Sequence, residues 1–401
     1  MLSVTEAQDV INQRAKPLAP VPTELTSEVL GLVLAEDVAS DLDMPPYDKA
    51  LMDGYAVRAA DLAGGQATLQ VVDELTAGQI SRKSVGAGQA IRIMTGAPIP
   101  EGADAVVMIE RTRLLGEGRV HIDDRPAQPG QNVLPRGKEM RKGDTILHAD
   151  ALLRPQEFGL LSSVGRIRAN VHPRPEVAIL PTGDELVEPN EVPGPGQIRN
   201  SNGPMLAAQV RRAGGIPQPL GIGRDRPDQL RMLISEGLRR PMLILSGGVS
   251  AGKLDLVPGI LQELGVEPHF HKVAMKPGKP VFFGTRRETL VFGLPGNPVS
   301  SLVCFELFVR PAIRRQAGHK NAGPTMIQAR LAEAFSYRID RPTYHPAWLE
   351  NGPDGWLIRA VPWFGSSDLR GLTQANAFAL FPAGDGHHQA GQSFAVLKVE
   401  E

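Results

Sequence analysis

MLILSGGVSAG (residues 242–252) is a short apolar run that ends in a glycine-rich turn. The run is too short for a helix, and helix-compatible sequence follows it, which is typical of a buried parallel strand. Two further runs have the same form: Val177–Leu180 precedes the turn 181–185, and Leu290–Phe292 precedes the turn 293–298. Together they predict an open α/β sheet whose loops at the carboxyl ends of the strands form a ligand crevice.

These loops carry carboxylates and anion-binding groups. Asp184 and Glu185 follow the first strand, and the glycine turn 246–252 offers backbone N–H groups and the Ser250 hydroxyl. Nearby, Lys276-Pro277-Gly278-Lys279-Pro280 places two cations on a rigid turn. Carboxylates and anion-binding groups on one rim predict a phosphate-bearing ligand with a divalent metal, and Asp255 completes a pair of acidic clusters for Mg²⁺.

Each signal also has an ordinary structural interpretation. Asp184 and Glu185 are typical helix-capping carboxylates, Asp255 complements a helix dipole, and paired lysines are commonly a solvated surface pair. The glycine turn matches neither a Walker loop nor a dinucleotide-binding pattern. Asp53-Gly54 and Met94–Pro98 are typical of tight turns, so spacing alone leaves their function open.

Length and composition restrict the class of protein. The 401 residues predict about two to four domains. The net charge of −1 gives no basic field for nucleic acid or an anionic membrane, and no apolar window is long enough for a membrane span. The single cysteine, Cys304, lies in an apolar stretch, which favours a buried inert thiol and a reducing compartment. With no basic leader at Met1, we expect a soluble, cytoplasmic protein.

The remaining chain alternates in character. Residues 1–40 are mainly helical, with Ser3 and Glu6 spaced as a capping box. Short β-like runs in residues 41–136 predict a small antiparallel unit, and those after residue 318 predict a small barrel or sandwich. Between them, helices are predicted over 154–164, 204–213, 227–239, 256–264 and 298–316, the last with Asn297 as N-cap and Pro298 at its first position.

Seven segments read together resemble the molybdopterin molybdenumtransferase family, which includes MoeA and the gephyrin E domain. They occur in the family's order over nearly the whole chain: Pro45–Arg58, Ile93–Pro98, Pro181–Leu186, Gly196–Asn202, Ser246–Ser250, Lys276–Pro280 and Leu294–Ser300.

The resemblance implies a multidomain α/β plus β architecture. It implies an elongated dimerisation domain (1–41 and 137–170) and an inserted β-rich domain (42–136). A molybdopterin-binding-like three-layer α/β domain (171–317) and a C-terminal β-barrel (318–401) would follow. It also implies a homodimer with each cleft shared between subunits, so that Asp53 acts in trans.

The implied reaction inserts molybdate into adenylylated molybdopterin and releases AMP and molybdenum-bound molybdopterin. Mg²⁺ held by Glu185 and Asp255 would neutralise the pyrophosphate, while Asp184 orients the site and a carboxylate such as Asp53 positions water. The resemblance implies a catalytic set of Asp53, Glu139, Asp184, Glu185 and Asp255. It implies a substrate-binding set of Thr95, Arg224, Gly247, Gly248, Ser250, Lys276, Lys279, Pro295, Gly296, Asn297, Pro298 and Ser366.

Several positions depart from the family pattern. Lys253 stands where an acidic residue is usual, Glu139 replaces an aspartate, and an arginine is missing near His345-Pro346. Two alternatives stay open: a non-catalytic gephyrin-like scaffold, which Lys253 would fit, and a molybdopterin adenylyltransferase on a similar fold. The resemblance also suggests transient contact with a molybdopterin adenylyltransferase, and it leaves a preference for molybdate or tungstate open.

Overall fold

The computed structural model describes residues 1–248 and 256–399. The chain divides into two compact units, and each is described by itself. The larger unit comprises Met1–Ala35, Asp150–Arg154 and Arg168–Glu401, and the smaller unit comprises Glu36–Ala149 and Pro155–Ile167. The boundaries of the four implied domains stay a prediction.

A six-stranded sheet forms the centre of the larger unit. Its strands lie in the order Ile216–Pro219, Glu176–Pro181, Met242–Ser246, Thr289–Leu294, Phe282–Arg286 and Glu267–Phe270. The first four are parallel and the last two are antiparallel to their neighbours. Pro181, Ser246 and Leu294 stand in register, so the three predicted strands end level with one another. Their parallel arrangement is confirmed.

Helices cover both faces of this sheet. Along the strand Glu176–Pro181, Ile179 packs into one apolar cluster with Leu206, whereas Leu180 packs into another with Leu230. This division follows from the alternation of side chains along a strand. The helices Asn202–Arg212 and Pro298–Cys304 lie on the first face, and Pro227–Gly237 and Leu256–Glu263 lie on the second. The predicted three-layer α/β domain is confirmed.

The helix predicted over 298–316 is interrupted. Pro298–Cys304 and Arg310–Gln316 are α-helical, but Phe305–Val309 between them forms a π-helical turn. Glu306 is buried in this turn, where its carboxylate accepts hydrogen bonds from Gln209 and Arg212. Asn297 is the N-cap residue and Pro298 stands in the first turn, as predicted, but the Asn297 side chain makes no capping hydrogen bond.

The C-terminal part of the larger unit is a closed barrel. Its strands are Met326–Leu331, Gly355–Ala360, Thr343–Gly352, Ala377–Phe381 and Ser393–Lys398, and a two-stranded sheet of Phe335–Ile339 and Gly384–His388 accompanies them. The N-terminal helix Val4–Arg14 has the predicted capping box. The larger unit's other sheets among the described residues are a three-stranded sheet of Val21–Glu24, Arg168–His172 and Val33–Leu34 and a two-stranded sheet of Leu186–Val187 and Ile198–Arg199.

The smaller unit is built on a second six-stranded sheet. Its order is Ala105–Met108, Gly54–Val57, Gln89–Ile93, Gln66–Leu75, Arg119–Asp123 and Thr112–Gly116. The prediction of an antiparallel unit is wrong for one pair, because Gln66–Leu75 and Gln89–Ile93 run parallel. The smaller unit also contains two-stranded pairs (Val38–Ala39 with Thr145–Leu147, and Lys49–Ala50 with Val133–Leu134), the helix Pro155–Ser163 and short 3-10 helices at Ala59–Leu62 and Ile109–Arg111.

We expect Cys304 to resist modification in the folded protein. Its side chain is fully buried, and burial raises the pKa of the thiol, so the reactive thiolate is absent at neutral pH. Labelling with a thiol-specific reagent should therefore occur at the rate of unfolding, and it should become fast in denaturant. Rapid labelling of the native protein, with no change in its circular dichroism, would contradict this expectation.

Candidate functional site

A cavity of about 560 Å³ opens at the carboxyl edge of the central sheet, and we call it the sheet-edge cavity. It collects predicted site residues from three separate loops. Those on its wall are Glu185, Gly247, Gly248, Pro295, Gly296, Asn297 and Pro298. The helix Asn202–Arg212 also begins at this wall, since Ser201 and Asn202 line the cavity. A helix N-terminus favours anions, which agrees with the predicted phosphate-bearing ligand.

The two glycines of the Ser246-Gly247-Gly248 turn are required by a neighbouring loop. Gly247 and Gly248 have φ values of +90° and +60°, a region that favours glycine. A Cβ atom on Gly247 would lie 2.5 Å from the Thr182 carbonyl oxygen, and one on Gly248 would lie 2.8 Å from Thr182 Oγ1. The two glycines therefore allow a close approach between two strand-end loops, the turn at Gly247 and Gly248 and the loop that begins at Thr182.

Arg224 holds the loop that carries the predicted acidic pair. Its Nη1 donates to the carbonyl oxygens of Gly183, Asp184 and Leu186 at 3.4, 3.1 and 2.6 Å. Asp184 Oδ1 accepts a hydrogen bond from the Asp225 backbone N–H at 3.0 Å. These contacts fix the loop that carries Asp184 and Glu185, and the implied role of Arg224 in substrate binding stays a prediction.

A second cavity of about 560 Å³ lies beside the first, and we call it the lysine cavity. Lys276, Lys279 and Ser366 line it as the predicted binding residues, and Trp363 forms an aromatic part of its wall. Arg341 also lines it, and the sequence did not single out this residue. Its guanidinium pairs with the adjacent Asp340 carboxylate at 2.8 and 3.2 Å. A neighbouring pair of opposite charges is typical of an exposed turn, so the sequence pattern does not indicate a site here.

The Lys276–Lys279 loop is fixed on two sides. The Lys276 backbone N–H donates to the Pro342 carbonyl oxygen at 2.9 Å, and the Tyr344 N–H donates to the Lys276 carbonyl oxygen at 2.8 Å. Gly278 has a φ of +108°, and a Cβ atom there would lie 2.4 Å from Cys304 Sγ. The backbone therefore sets the positions from which both lysines reach into the cavity.

Asn297 stands where the two cavities meet. Pro280, Pro295 and Asn297 line both of them. Asn297 Nδ2 donates to Ser366 Oγ at 2.8 Å, and the Val299 backbone N–H donates to the Ser366 carbonyl oxygen at 3.0 Å. Asn297 is thus the N-cap residue by position, while its side-chain amide joins the α/β domain to the barrel loop.

The smaller unit holds the remaining predicted residues. Asp53 Oδ1 accepts hydrogen bonds from both the backbone N–H and the hydroxyl of Thr95, each at 2.7 Å. These two bonds, the backbone one first, hold the pKa of Asp53 below its usual value. Gly54 must be glycine because a Cβ atom would lie 1.8 Å from the Val107 carbonyl oxygen. Glu139, also exposed, pairs with Lys49 Nζ at 3.3 Å.

We expect Thr95→Val to raise the pKa of Asp53 part of the way to its ordinary value of 3.8, because the backbone N–H still donates. Since the pKa of Asp53 is lowered in the folded protein, the hydrogen bond from the Thr95 hydroxyl stabilises the fold above the unfolded pKa. This contribution disappears as the pH falls through the folded pKa. An NMR titration of the Asp53 carboxyl checks the shift. Thr112→Val is the control, because the Thr112 hydroxyl donates to Ile109 instead. An unchanged Asp53 pKa in Thr95→Val would contradict the assignment.

Ser250, Lys253 and Asp255 lie outside the described residues, so their predicted roles stay predictions. Within residues 1–248 and 256–399, no three His, Cys, Asp or Glu side chains are grouped so that they could hold a metal ion. Over the same residues, no helix has the length and apolar character that crossing a bilayer requires.

The fold and the two adjoining cavities define a class: an α/β protein with a ligand-sized crevice at the carboxyl edge of a largely parallel sheet. Three family models match consecutive parts of the chain. They describe the MoeA N-terminal region, domains I and II (residues 2–165), a probable molybdopterin binding domain (178–315) and the MoeA C-terminal region, domain IV (328–399).

Relatives along the full chain agree with these models. The molybdopterin molybdenumtransferase of Bacillus subtilis (strain 168) is 36% identical over 92% of this chain and 87% of its own. That of Staphylococcus aureus (strain Mu50 / ATCC 700699) is 33% identical over 100% and 96%. The crystal structure of the molybdopterin biosynthesis MoeA protein from Pyrococcus horikosii aligns with a TM-score of 0.83 at 31% identity and covers both chains completely. This chain belongs to the MoeA family.

Proposed function

We propose that this chain is a molybdopterin molybdenumtransferase of molybdenum cofactor biosynthesis. It inserts molybdate into adenylylated molybdopterin and releases AMP together with molybdenum-bound molybdopterin. The observation that carries the proposal is the pair of adjoining cavities on one sheet edge. One offers a helix N-terminus and glycine turn to a phosphate-bearing molecule, and the other offers cations to a small dianion.

The lysine cavity fits molybdate by charge. Lys276, Lys279 and Arg341 line it, and Asp340 offsets part of the arginine's charge. A dianion that leaves water needs such partners to offset the loss of its hydration, and the Ser366 hydroxyl supplies a neutral donor or acceptor. Tungstate is a tetrahedral dianion as well, so the same residues fit it by charge.

The sheet-edge cavity fits the nucleotide and pterin end of the substrate. Its wall carries the start of the helix Asn202–Arg212, which is complementary to phosphate. With the substrate there, the dithiolene sulfurs meet molybdate at the boundary that Asn297 and Ser366 form. Binding at this boundary brings the two reactants together, which is a large part of catalysis in group transfer.

Glu185 is the described residue that fits a role in holding Mg²⁺. It lines the sheet-edge cavity as an exposed carboxylate, and Mg²⁺ usually takes one or two carboxylates with phosphate oxygens and water. Asp255 would be the second ligand, but it lies outside the described residues. When bound, Mg²⁺ supplies charge neutralisation for a pyrophosphate.

We expect Glu185→Gln to raise the Mg²⁺ concentration needed for half-maximal AMP release roughly 10- to 100-fold, because it removes a charged ligand but keeps the side chain's size. Glu188→Gln is the matched control, since Glu188 is exposed nearby and is not among the residues that line the sheet-edge cavity. A magnesium titration of both variants checks this. Equal magnesium dependence in Glu185→Gln and Glu188→Gln would exclude Glu185 as a ligand.

Asp53 is ionised at neutral pH, so it can accept a proton from water at the pyrophosphate. Its neighbour Thr95 fixes the orientation of its carboxylate. The proposal includes the homodimer that the family resemblance implies, in which Asp53 and Glu139 of one subunit serve the cleft of the other. A transient complex with a molybdopterin adenylyltransferase would deliver the labile substrate directly.

Product analysis tests the proposed function. The purified protein with Mg²⁺ is given adenylylated molybdopterin, with and without molybdate, and AMP is measured. We expect AMP release that depends on molybdate. Transfer of AMP from ATP to molybdopterin would instead identify an adenylyltransferase, and tight binding with neither reaction would identify a scaffold.

A further inference from the structure

Two polar atoms in the wall of the sheet-edge cavity are buried without a hydrogen-bond partner among the described residues: Thr182 Oγ1 and Asn202 Oδ1. Thr182 is 2% exposed and Asn202 is 8% exposed. Buried polar groups in folded proteins almost always have a partner, because an unpaired one loses its bonds to water without replacement. Two such atoms in one cavity wall therefore require an explanation.

The orientation of the Asn202 side chain is fixed by its surroundings. Its Nδ2 donates to Ser246 Oγ and to the Gly296 carbonyl oxygen, both at 2.8 Å. A carbonyl oxygen accepts hydrogen bonds and never donates, so the nitrogen must face Gly296. Asn202 Oδ1 is then an acceptor with no donor in the described part of the chain, and turning the amide over would set this oxygen against the Gly296 carbonyl oxygen.

The Thr182 hydroxyl contributes no described hydrogen bond to the fold. Its backbone N–H donates to the Ser246 carbonyl oxygen at 2.8 Å, which already joins the first two strand-end loops. Valine has nearly the same shape as threonine and fills the same space. Among the described residues the hydroxyl is therefore buried without a partner, a cost that a valine would avoid.

We propose that Thr182 and Asn202 are specificity-determining residues whose side-chain oxygens accept hydrogen bonds from N–H or O–H donors of the substrate. The inference rests on the proposed function, because it assigns the wall of that same site. The adjacent helix start at Asn202 is complementary to phosphate. The ligand therefore combines an anionic phosphate with donor groups, as adenylylated molybdopterin does in its pterin amino and ring N–H groups and in its ribose hydroxyls.

A site with buried acceptors discriminates strongly against ligands that lack the matching donors, because the acceptors then stay unpaired. An analogue that lacks the matching donor would leave both oxygens as they are in the free protein. If Thr182 and Asn202 served only the stability of the fold, apolar side chains of the same shape would serve it better, because they avoid the cost of unpaired buried acceptors.

Thr182→Val tests the proposal, with Thr182→Ser as the matched variant that keeps the hydroxyl. The wild type and both variants are titrated calorimetrically with two probes, 6-hydroxymethylpterin and AMP, and their melting temperatures are measured. We expect Thr182→Val to weaken the binding of one probe about three- to tenfold, which corresponds to one hydrogen bond. Thr182→Ser should bind both probes as the wild type does, and the melting temperature of Thr182→Val should not fall.

Weaker binding of the pterin probe would show that the oxygens recognise the pterin ring, and weaker binding of AMP would show that they recognise the nucleotide. Equal affinities in the wild type and Thr182→Val, or failure of the wild type to bind either probe, would overturn the proposal. So would a lower melting temperature for Thr182→Val with unchanged binding. Molybdate-dependent AMP release by the wild type tests the proposed function separately, so the two failures are distinguishable.

Discussion

The double variant Lys276→Gln and Lys279→Gln should need about 100-fold more molybdate, or more, for half-maximal AMP release. Each lysine offers a charge-assisted hydrogen bond to a dianion, and such bonds are about twice as strong as neutral ones. Glutamine keeps hydrogen-bonding capacity and similar length, so the change is mainly one of charge. Steady-state AMP release over a molybdate series measures the effect.

Lys272→Gln is the control for this variant. Lys272 is an exposed lysine just before the same loop, and it is not among the residues that line the lysine cavity. The double variant should bind AMP as the wild type does, since AMP is assigned to the other cavity. A molybdate dependence equal to that of Lys272→Gln would remove the lysine cavity from the account of molybdate binding.

Gly278→Ala should destabilise the larger unit by about 3 kcal/mol and reduce molybdate-dependent activity in the fraction that folds. The φ of +108° is unfavourable for any L residue, and the new Cβ atom would lie 2.4 Å from Cys304 Sγ, where both groups are buried. Unfolding in denaturant measures the loss of stability.

Cys304→Ala separates the two causes. Removing Sγ relieves the steric contact and leaves the backbone strain. The loss of stability in the double variant Gly278→Ala and Cys304→Ala should therefore be about 1 kcal/mol smaller than the sum of the losses in the two single variants. Strictly additive effects would show that Sγ is not what excludes a side chain at position 278.

The sequence predicted the parallel strands and the loops of the site because both depend on local patterns. A short apolar run that ends in glycine or proline identifies a buried strand, and parallel strands place their carboxyl ends at one edge. Glu185, Gly248 and Asn297 were therefore predicted to share one site, and in the structure all three line the sheet-edge cavity, although they are far apart in the chain. Their chemical roles came from the family resemblance and stay proposals.

Other features depended on tertiary contacts that no local pattern shows. In the sequence, Asp340 and Arg341 are typical of an ion pair in an exposed turn. The fold of the barrel places Arg341 in the wall of the lysine cavity. Asn297 has the residue type and position of a helix N-cap, but Ser366 competes for its amide. The π-helical turn at Phe305–Val309 accompanies burial of Glu306, whose partners Gln209 and Arg212 lie on another helix.

The most direct test of the central claim is the stoichiometry of the reaction. The protein is incubated with adenylylated molybdopterin, Mg²⁺ and molybdate, and AMP is measured together with the molybdenum bound to the pterin. We expect one pterin-bound molybdenum for each AMP released, with neither product formed when molybdate is omitted. AMP release without transfer of molybdenum would contradict it and would identify a hydrolase of the adenylylated pterin.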